Sequence, residues 1–293
     1  MKISRDPNVR TGRLKLNSGT LFWHEVGQGE TLVFLHGTWQ DSLQWVPLMQ
    51  ALSNDFHCIA PDCLGFGESR GNQSHYSIQL QVDTLAVFLQ SLRISRCCLV
   101  GHSLGAWVAA QFALQYPDLV QRLIVLEPEG LEPTLDRHRW RLHRLLAGCS
   151  PFAVVVKACA PLIRLLGGQL WLRRVFALRQ QLRACPAACR TVFQRRTAEI
   201  KGELVQFQLA QLRMPVALLV SETLTPISEA LGKAFIRSLP TTELISLPSD
   251  ETAWGLALEP TAMALSAFIA ETPVQHQRGD PTPTYSPYLA DGA

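Results

Sequence analysis

The sequence predicts an α/β fold: a mainly parallel, doubly wound sheet with a helical insertion. Three observations carry this. Short apolar runs that end in glycine or proline alternate with helix-spaced segments through residues 1–130, the first part of the core. The same rhythm resumes over 206–271, the second part. Between them, 131–205 shows helical periodicity and no obvious strand. A helical insert at that point sits over the carboxyl ends of the strands, where open α/β sheets bind ligands. Residues 272–293 are polar and proline-rich and read as a disordered tail.

The elements follow in order. Residues 13–26, RLKLNSGTLFWHEV, alternate around Asn17-Ser18-Gly19 and read as a hairpin. TLVFLHG (31–37) is a continuous apolar run, the pattern of a strand covered on both faces. FHCIAPDCLGFGES (56–69) gives a strand and a glycine-rich loop, and 79–92 has helical apolar spacing at Leu80, Leu85, Phe88, Leu89 and Leu92. CCLVGHS is a strand, LGAWVAAQFALQY a helix and VQRLIVLEP (120–128) the next strand. After the insertion come a strand (214–222), a helix (227–239), a strand (242–248) and a closing helix (254–271).

The chain has 293 residues, 47% of them hydrophobic, enough to bury a large core. Its first residues contain no apolar h-region and no run of about 18 uncharged apolar residues occurs, which predicts a cytoplasmic protein. The eight cysteines form no C-x-x-C pair and read as reduced, with Cys97 and Cys98 as core residues. The net charge of +3 hides an asymmetry. Residues 137–201 carry 14 Lys plus Arg and one acidic residue, Glu199, so this segment is +13 and the remainder −10. No metal-ligand spacing and no phosphate-loop motif occurs, so neither a metal nor another cofactor is expected.

Three motifs stand out: His36-Gly37 followed by Thr38-Trp39 after a strand; PDCLGFGES; and Gly101-His102-Ser103-Leu104-Gly105, a G-x-S-x-G pattern. In this order they resemble the α/β-hydrolase superfamily over roughly 13–271, with the insertion in the position of the family's cap. The resemblance implies that a sharp strand-to-helix turn exposes Ser103 as a nucleophile. It places the oxyanion-hole N–H groups on Leu104 and Thr38. His36, Gly37 and His102 would support these loops.

The partners of a triad are not where the resemblance puts them. The acid position falls on Leu224 in Ser221-Glu222-Thr223-Leu224, and the histidine position on Thr252 or Ala253 in PSDETAWG (248–255). No histidine occurs from 144 to 275. The remaining candidates are Glu127, which follows the strand after the nucleophile helix, the loop carboxylates Glu222, Asp250 and Glu251, and three histidines. His138 and His143 open the insertion, where an Arg-rich helix turns such residues to solvent, and His276 lies in the tail. His24, His57 and His75 belong to no motif and read as structural or surface residues.

Three functions are compatible with this. One is a hydrolase or related acyl-transfer enzyme acting on a small apolar substrate with a non-standard or degraded triad. Another is a catalytically silent homologue that binds a hydrophobic ligand, a membrane surface or a protein. The third is a lyase-type enzyme that needs no triad. In the insertion, 169–183 has Trp171, Val175, Leu178 and Leu182 on one helical stripe with Arg173 and Arg174 away from it. The stripe reads first as a packing face that roofs the pocket. With its basic residues it also fits a helix lying on an anionic membrane, so peripheral membrane association is the second expectation. Nucleic acid is not an expected partner, because few aromatics are interleaved with the arginines.

Overall fold

A computed structural model describes residues 9–71, 73–135, 140–147, 151–165, 167–223, 225–252 and 254–272. The strands are β1 (Arg10–Leu16), β2 (Gly19–Val26), β3 (Glu30–Leu35), β4 (Phe56–Pro61), β5 (Arg70–Gly71), β6 (Cys97–His102), β7 (Val120–Leu126), β8 (Val216–Ser221) and β9 (Glu243–Leu247). The helices of the sheet region are α1 (Val46–Leu52), α2 (Ile78–Ser91) and α3 (Leu104–Gln115) before the insertion. The insertion contains α4 (Arg141–Leu146), α5 (Pro151–Leu165), α6 (Gln169–Ala184), α7 (Pro186–Cys189) and α8 (Thr197–Gly202). The helices α9 (Pro226–Ser238) and α10 (Leu258–Glu271) complete the described chain.

One sheet joins these strands in the order β1-β2-β4-β3-β6-β7-β8-β9, with β5 paired to β2. Pairing is parallel from β4 through β9 and antiparallel among β1, β2, β4 and β5. The parallel strands are apolar because helices cover both faces. On one face Val33, Leu99, Leu123 and Leu218 join Phe88 and Phe112; on the other Phe34, Val100, Ile124 and Leu219 join Trp45, Leu265 and Phe268. Cys97 and Cys98 are buried in β6 and unpaired. Burial raises both thiols, that of Cys98 to about 12, so they stay protonated and act as core residues.

The buried Arg122 at the start of β7 bonds Glu30 at 2.6 Å and donates to the carbonyl of Thr272 at 2.9 Å, which ties β7 to β3 and to the end of α10.

Two expectations from periodicity are corrected. The closing helix begins at Leu258 rather than 254. Trp254 is buried, and an isolated bridge between Ser249 and Leu256 holds the preceding residues in a non-helical loop. In α6 the buried positions include Leu172, Val175 and Leu182, whereas Trp171 is exposed. Two adjacent apolar residues gave the stripe two phases, and packing selected Leu172. Among the described residues no helix is long and apolar enough to cross a membrane. The tail expected to be disordered lies, apart from Thr272, outside the described residues.

Candidate active site at the carboxyl end of the sheet

The site forms where β3 and β6 end side by side. β6 stops at His102, and the chain reverses into α3 through Ser103, whose φ of 52° and ψ of −113° are rarely adopted by a residue with a side chain. The flanking glycines permit this. A Cβ on Gly105 would come 2.2 Å from the Leu35 carbonyl oxygen, and one on Gly101 would come 2.6 Å from the Ala106 backbone. Close packing of β3, β6 and α3 therefore explains the spacing of the motif. The turn is fixed by Ser103 N–H donating to Leu126 O at 2.9 Å and Gly105 N–H to His36 O at 3.1 Å. Leu104 is buried and opens the helix, so its N–H lacks an intrahelical acceptor.

Thr38 is buried beside the turn, with its Oγ1 3.3 Å from Ser103 Oγ. The loop that carries it is anchored by Gln44, whose Oε1 accepts from Gly37 N–H at 3.0 Å. A Cβ on Gly37 would lie 2.6 Å from His102 Nδ1. His36 is fully buried; its Nδ1 lies 2.9 Å from Gly37 O, and its Nε2 accepts the Cys63 N–H at 2.9 Å. Burial disfavours charge on this ring. The amide that donates into Nε2 requires an unprotonated nitrogen there. The geometry therefore assigns a neutral ring with its proton on Nδ1.

The PDCLGFGES loop completes this support. Asp62 is buried, and its two oxygens accept from Ser42 N–H and Glu68 N–H, both at 2.7 Å. Ser69 Oγ donates to Asp62 O and accepts from Phe22 N–H. This aspartate and serine thus hold a loop against β2.

Glu127, directly after β7, also has positive φ, 45°. One carboxylate oxygen accepts from Ser228 Oγ at 2.6 Å and the other lies 3.7 Å from His102 Nε2. His102 Nδ1 is 3.4 Å from Gln44 Nε2, so both ring nitrogens face groups other than Ser103. Ser228, on α9, and Gln44 were not singled out by sequence; neither belongs to a motif, and only the fold brings them here.

The other candidates fall elsewhere. His143 does not face solvent as expected: its ring stacks on Trp39 at 6.0 Å and meets Trp140 edge-on at 4.8 Å, because the start of the insertion packs as an aromatic cluster with Phe193. Glu222, Asp250 and Glu251 are exposed. His24 bonds Ser42, His57 pairs with Glu25, and His75 is exposed. His138, Leu224, Ala253 and His276 lie outside the described residues. Thr252 donates its hydroxyl to Leu256 O at 2.6 Å, and Trp254 packs flat on Trp45. Among the described residues, no cluster of His, Cys, Asp and Glu has the form of a metal site.

A model of the α/β hydrolase fold matches residues 30–220. The chain belongs to the α/β-hydrolase family. Relatives agree with this. A Pseudomonas putida 2-hydroxy-6-oxo-2,4-heptadienoate hydrolase is 34% identical over 129 residues, 42% of this α/β-hydrolase and 47% of that protein. An uncharacterized Mycobacterium tuberculosis protein is 39% identical over 105 residues, 36% of this chain and 31% of its own length. These matches span from just under a third to just under half of the relatives' lengths. In fold, the α/β-hydrolase is similar to a haloalkane dehalogenase loop variant from Bradyrhizobium elkanii, with TM-score 0.65 and 21% identity over 90% of this chain and 98% of that one.

Proposed function

We propose that this α/β-hydrolase is a serine acyl-transfer enzyme that attacks a small apolar ester or similar carbonyl compound without a triad histidine. The observation that carries the reading is the strained turn that presents Ser103 with Thr38 Oγ1 at 3.3 Å. In this reading Ser103 Oγ attacks the carbonyl carbon, and the N–H groups of Leu104 and Thr38 hold the oxyanion. Both His102 ring nitrogens face other groups, so in this reading the seryl proton leaves through solvent to the half-exposed Glu127 carboxylate at the same end of the sheet. Serine is a weak nucleophile without an adjacent base. In a serine protease, loss of the base alone costs about 10⁶ in turnover, so slow acylation is expected here.

A second reading, a catalytically silent ligand-binding member, is favoured by Trp254. On the loop where the family resemblance expects the base, this residue is locked into core packing against Trp45. One experiment separates the two. The protein and Ser103→Ala are exposed to a fluorophosphonate and weighed intact. A single adduct that forms on the native chain and is missing from the variant supports the enzyme. A folded native protein that stays unlabelled overturns it in favour of the silent reading.

A further inference from the structure

The insertion displays part of its apolar side chains outward. Val154, Val155, Leu162 and Leu165 of α5 lie opposite the buried Val156 and Ala160, and Leu165 is 83% exposed. A helix that is apolar on its outer as well as its inner face fits a partly buried or lipid-facing setting. The turn into α6 carries the pattern on. Gly167, with φ of +81°, closes α5, and Gly168 N–H returns to Ile163 O at 2.8 Å. Leu170, 69% exposed, and the exposed Trp171 then stand in the first turn of α6. The tip of this helical hairpin is therefore an exposed apolar patch with a tryptophan at its edge.

Cations flank it. Lys157 and Arg164 lie along one side of α5, and Arg173 and Arg174 on the outer side of α6, all exposed. Between the two helices a cleft of about 660 Å³ is lined by Val154, Lys157, Phe176, Arg179, Gln180 and Arg183. Arg179 Nη1 is buried there with no hydrogen-bond partner among the described residues. The segment 137–201 is +13 against −10 for the remaining chain, so the excess of positive charge belongs to the insertion.

We infer that the α5–α6 hairpin docks on a bilayer containing anionic phospholipid. Leu162, Leu165, Leu170 and Trp171 enter the acyl boundary, Arg164, Arg173 and Arg174 meet the headgroups, and the Lys157–Arg179–Arg183 cleft receives a headgroup phosphate. Apolar burial with flanking cations is the physical recipe for an interfacial helix. A second copy of this chain fits the patch poorly, because two faces with the same excess of positive charge repel. The inference is independent of the chemistry at Ser103.

The test is sedimentation of the full chain with vesicles of phosphatidylcholine alone or mixed with phosphatidylglycerol. Binding is expected on the mixed vesicles and should fall steeply with salt, as the screening length drops from about 10 Å at 0.1 M to about 3 Å at 1 M. Arg173→Gln with Arg174→Gln should weaken it by about fivefold per charge removed. Leu165→Ser and Leu170→Ser should each weaken it by about tenfold or more. All four residues are exposed, and unchanged melting and circular dichroism establish that the variants fold. Equal binding to both vesicle types, no binding, or binding indifferent to the four substitutions overturns the inference. So does lipid-free self-association that Leu165→Ser abolishes, which makes the patch a contact between copies.

Discussion

Trp254 stacks on Trp45 with ring centroids 5.4 Å apart and planes 16° from parallel. Both rings are buried, and neither indole Nε1 has a hydrogen-bond partner among the described residues. Removing the ring and removing only its N–H should therefore have different effects. Trp254→Ala should cost about 3–5 kcal/mol of stability. Trp254→Phe keeps an aromatic face and deletes an unsatisfied donor, so it should cost about 1 kcal/mol or less. Urea denaturation of the three proteins checks this; equal losses would mean that the indole N–H contributes to stability.

Ser103 stores backbone strain. Its φ of 52° with ψ of −113° suits glycine, and residues held in such regions cost about 1–3 kcal/mol. Ser103→Gly should raise stability by about 1 kcal/mol, after the flexibility that glycine adds to the unfolded chain, and abolish any fluorophosphonate adduct. A variant less stable than the native protein would mean that the Thr38 contact outweighs the strain.

Glu127 pairs Ser228 and faces His102. Glu127→Gln preserves an acceptor for Ser228 and removes the charge beside the imidazole. If the Glu127 carboxylate receives the seryl proton, labelling of Ser103 should slow by about 10²-fold, the lower range for general-base contributions. An unchanged labelling rate at unchanged melting temperature would reduce Glu127 to a loop-fixing role.

His24 gives the fold a pH dependence. It is buried against Ser42, with 2.9 Å between Nδ1 and Oγ. Burial holds its pKa below the usual value, and the nearby Asp62, Asp41 and Glu68 only partly offset this. The folded protein resists protonating this ring, whereas the unfolded chain accepts a proton near pH 6.5. The stabilisation is present above about pH 6.5 and is lost as pH falls through the lower folded pKa. His24→Gln should therefore flatten the decline in urea midpoint between about pH 7 and 5. Parallel curves for the two proteins would exclude His24 as the source.

Much of the fold was legible because its signals are local. Buried parallel strands such as Thr31–Leu35 and Cys97–Val100 need continuous apolar runs, and the turn at Ser103 needs glycines at 101 and 105 for close approach. The loop held by Asp62 likewise wrote itself into PDCLGFGES. What could not be read depends on contacts distant in sequence. His143 looks like a solvent-facing residue of a basic helix until Trp39 and Phe193, each far from it along the chain, close around it. Trp254 carries no motif, and its partner Trp45 lies at the other end of the chain. Ser228 and Gln44 enter the site from α9 and from the turn before α1, which no spacing rule connects to Ser103.

The insertion leaves and rejoins the sheet region at nearly one point. Val205 N–H donates to Gly130 O at 2.9 Å, and Trp107 Nε1–H reaches Glu203 O at 2.9 Å from the nucleophile helix. The two ends of this excursion are thus already stapled together, and whatever lies between adds little closure entropy to the rest. Closure at this junction does not depend on the length of the segment between, although Ala187, Ala188, Ile200 and Leu204 pack in the core beneath it. Gly130 and Val205 are therefore the points at which a foreign helical segment can be grafted while the serine turn keeps its own contacts.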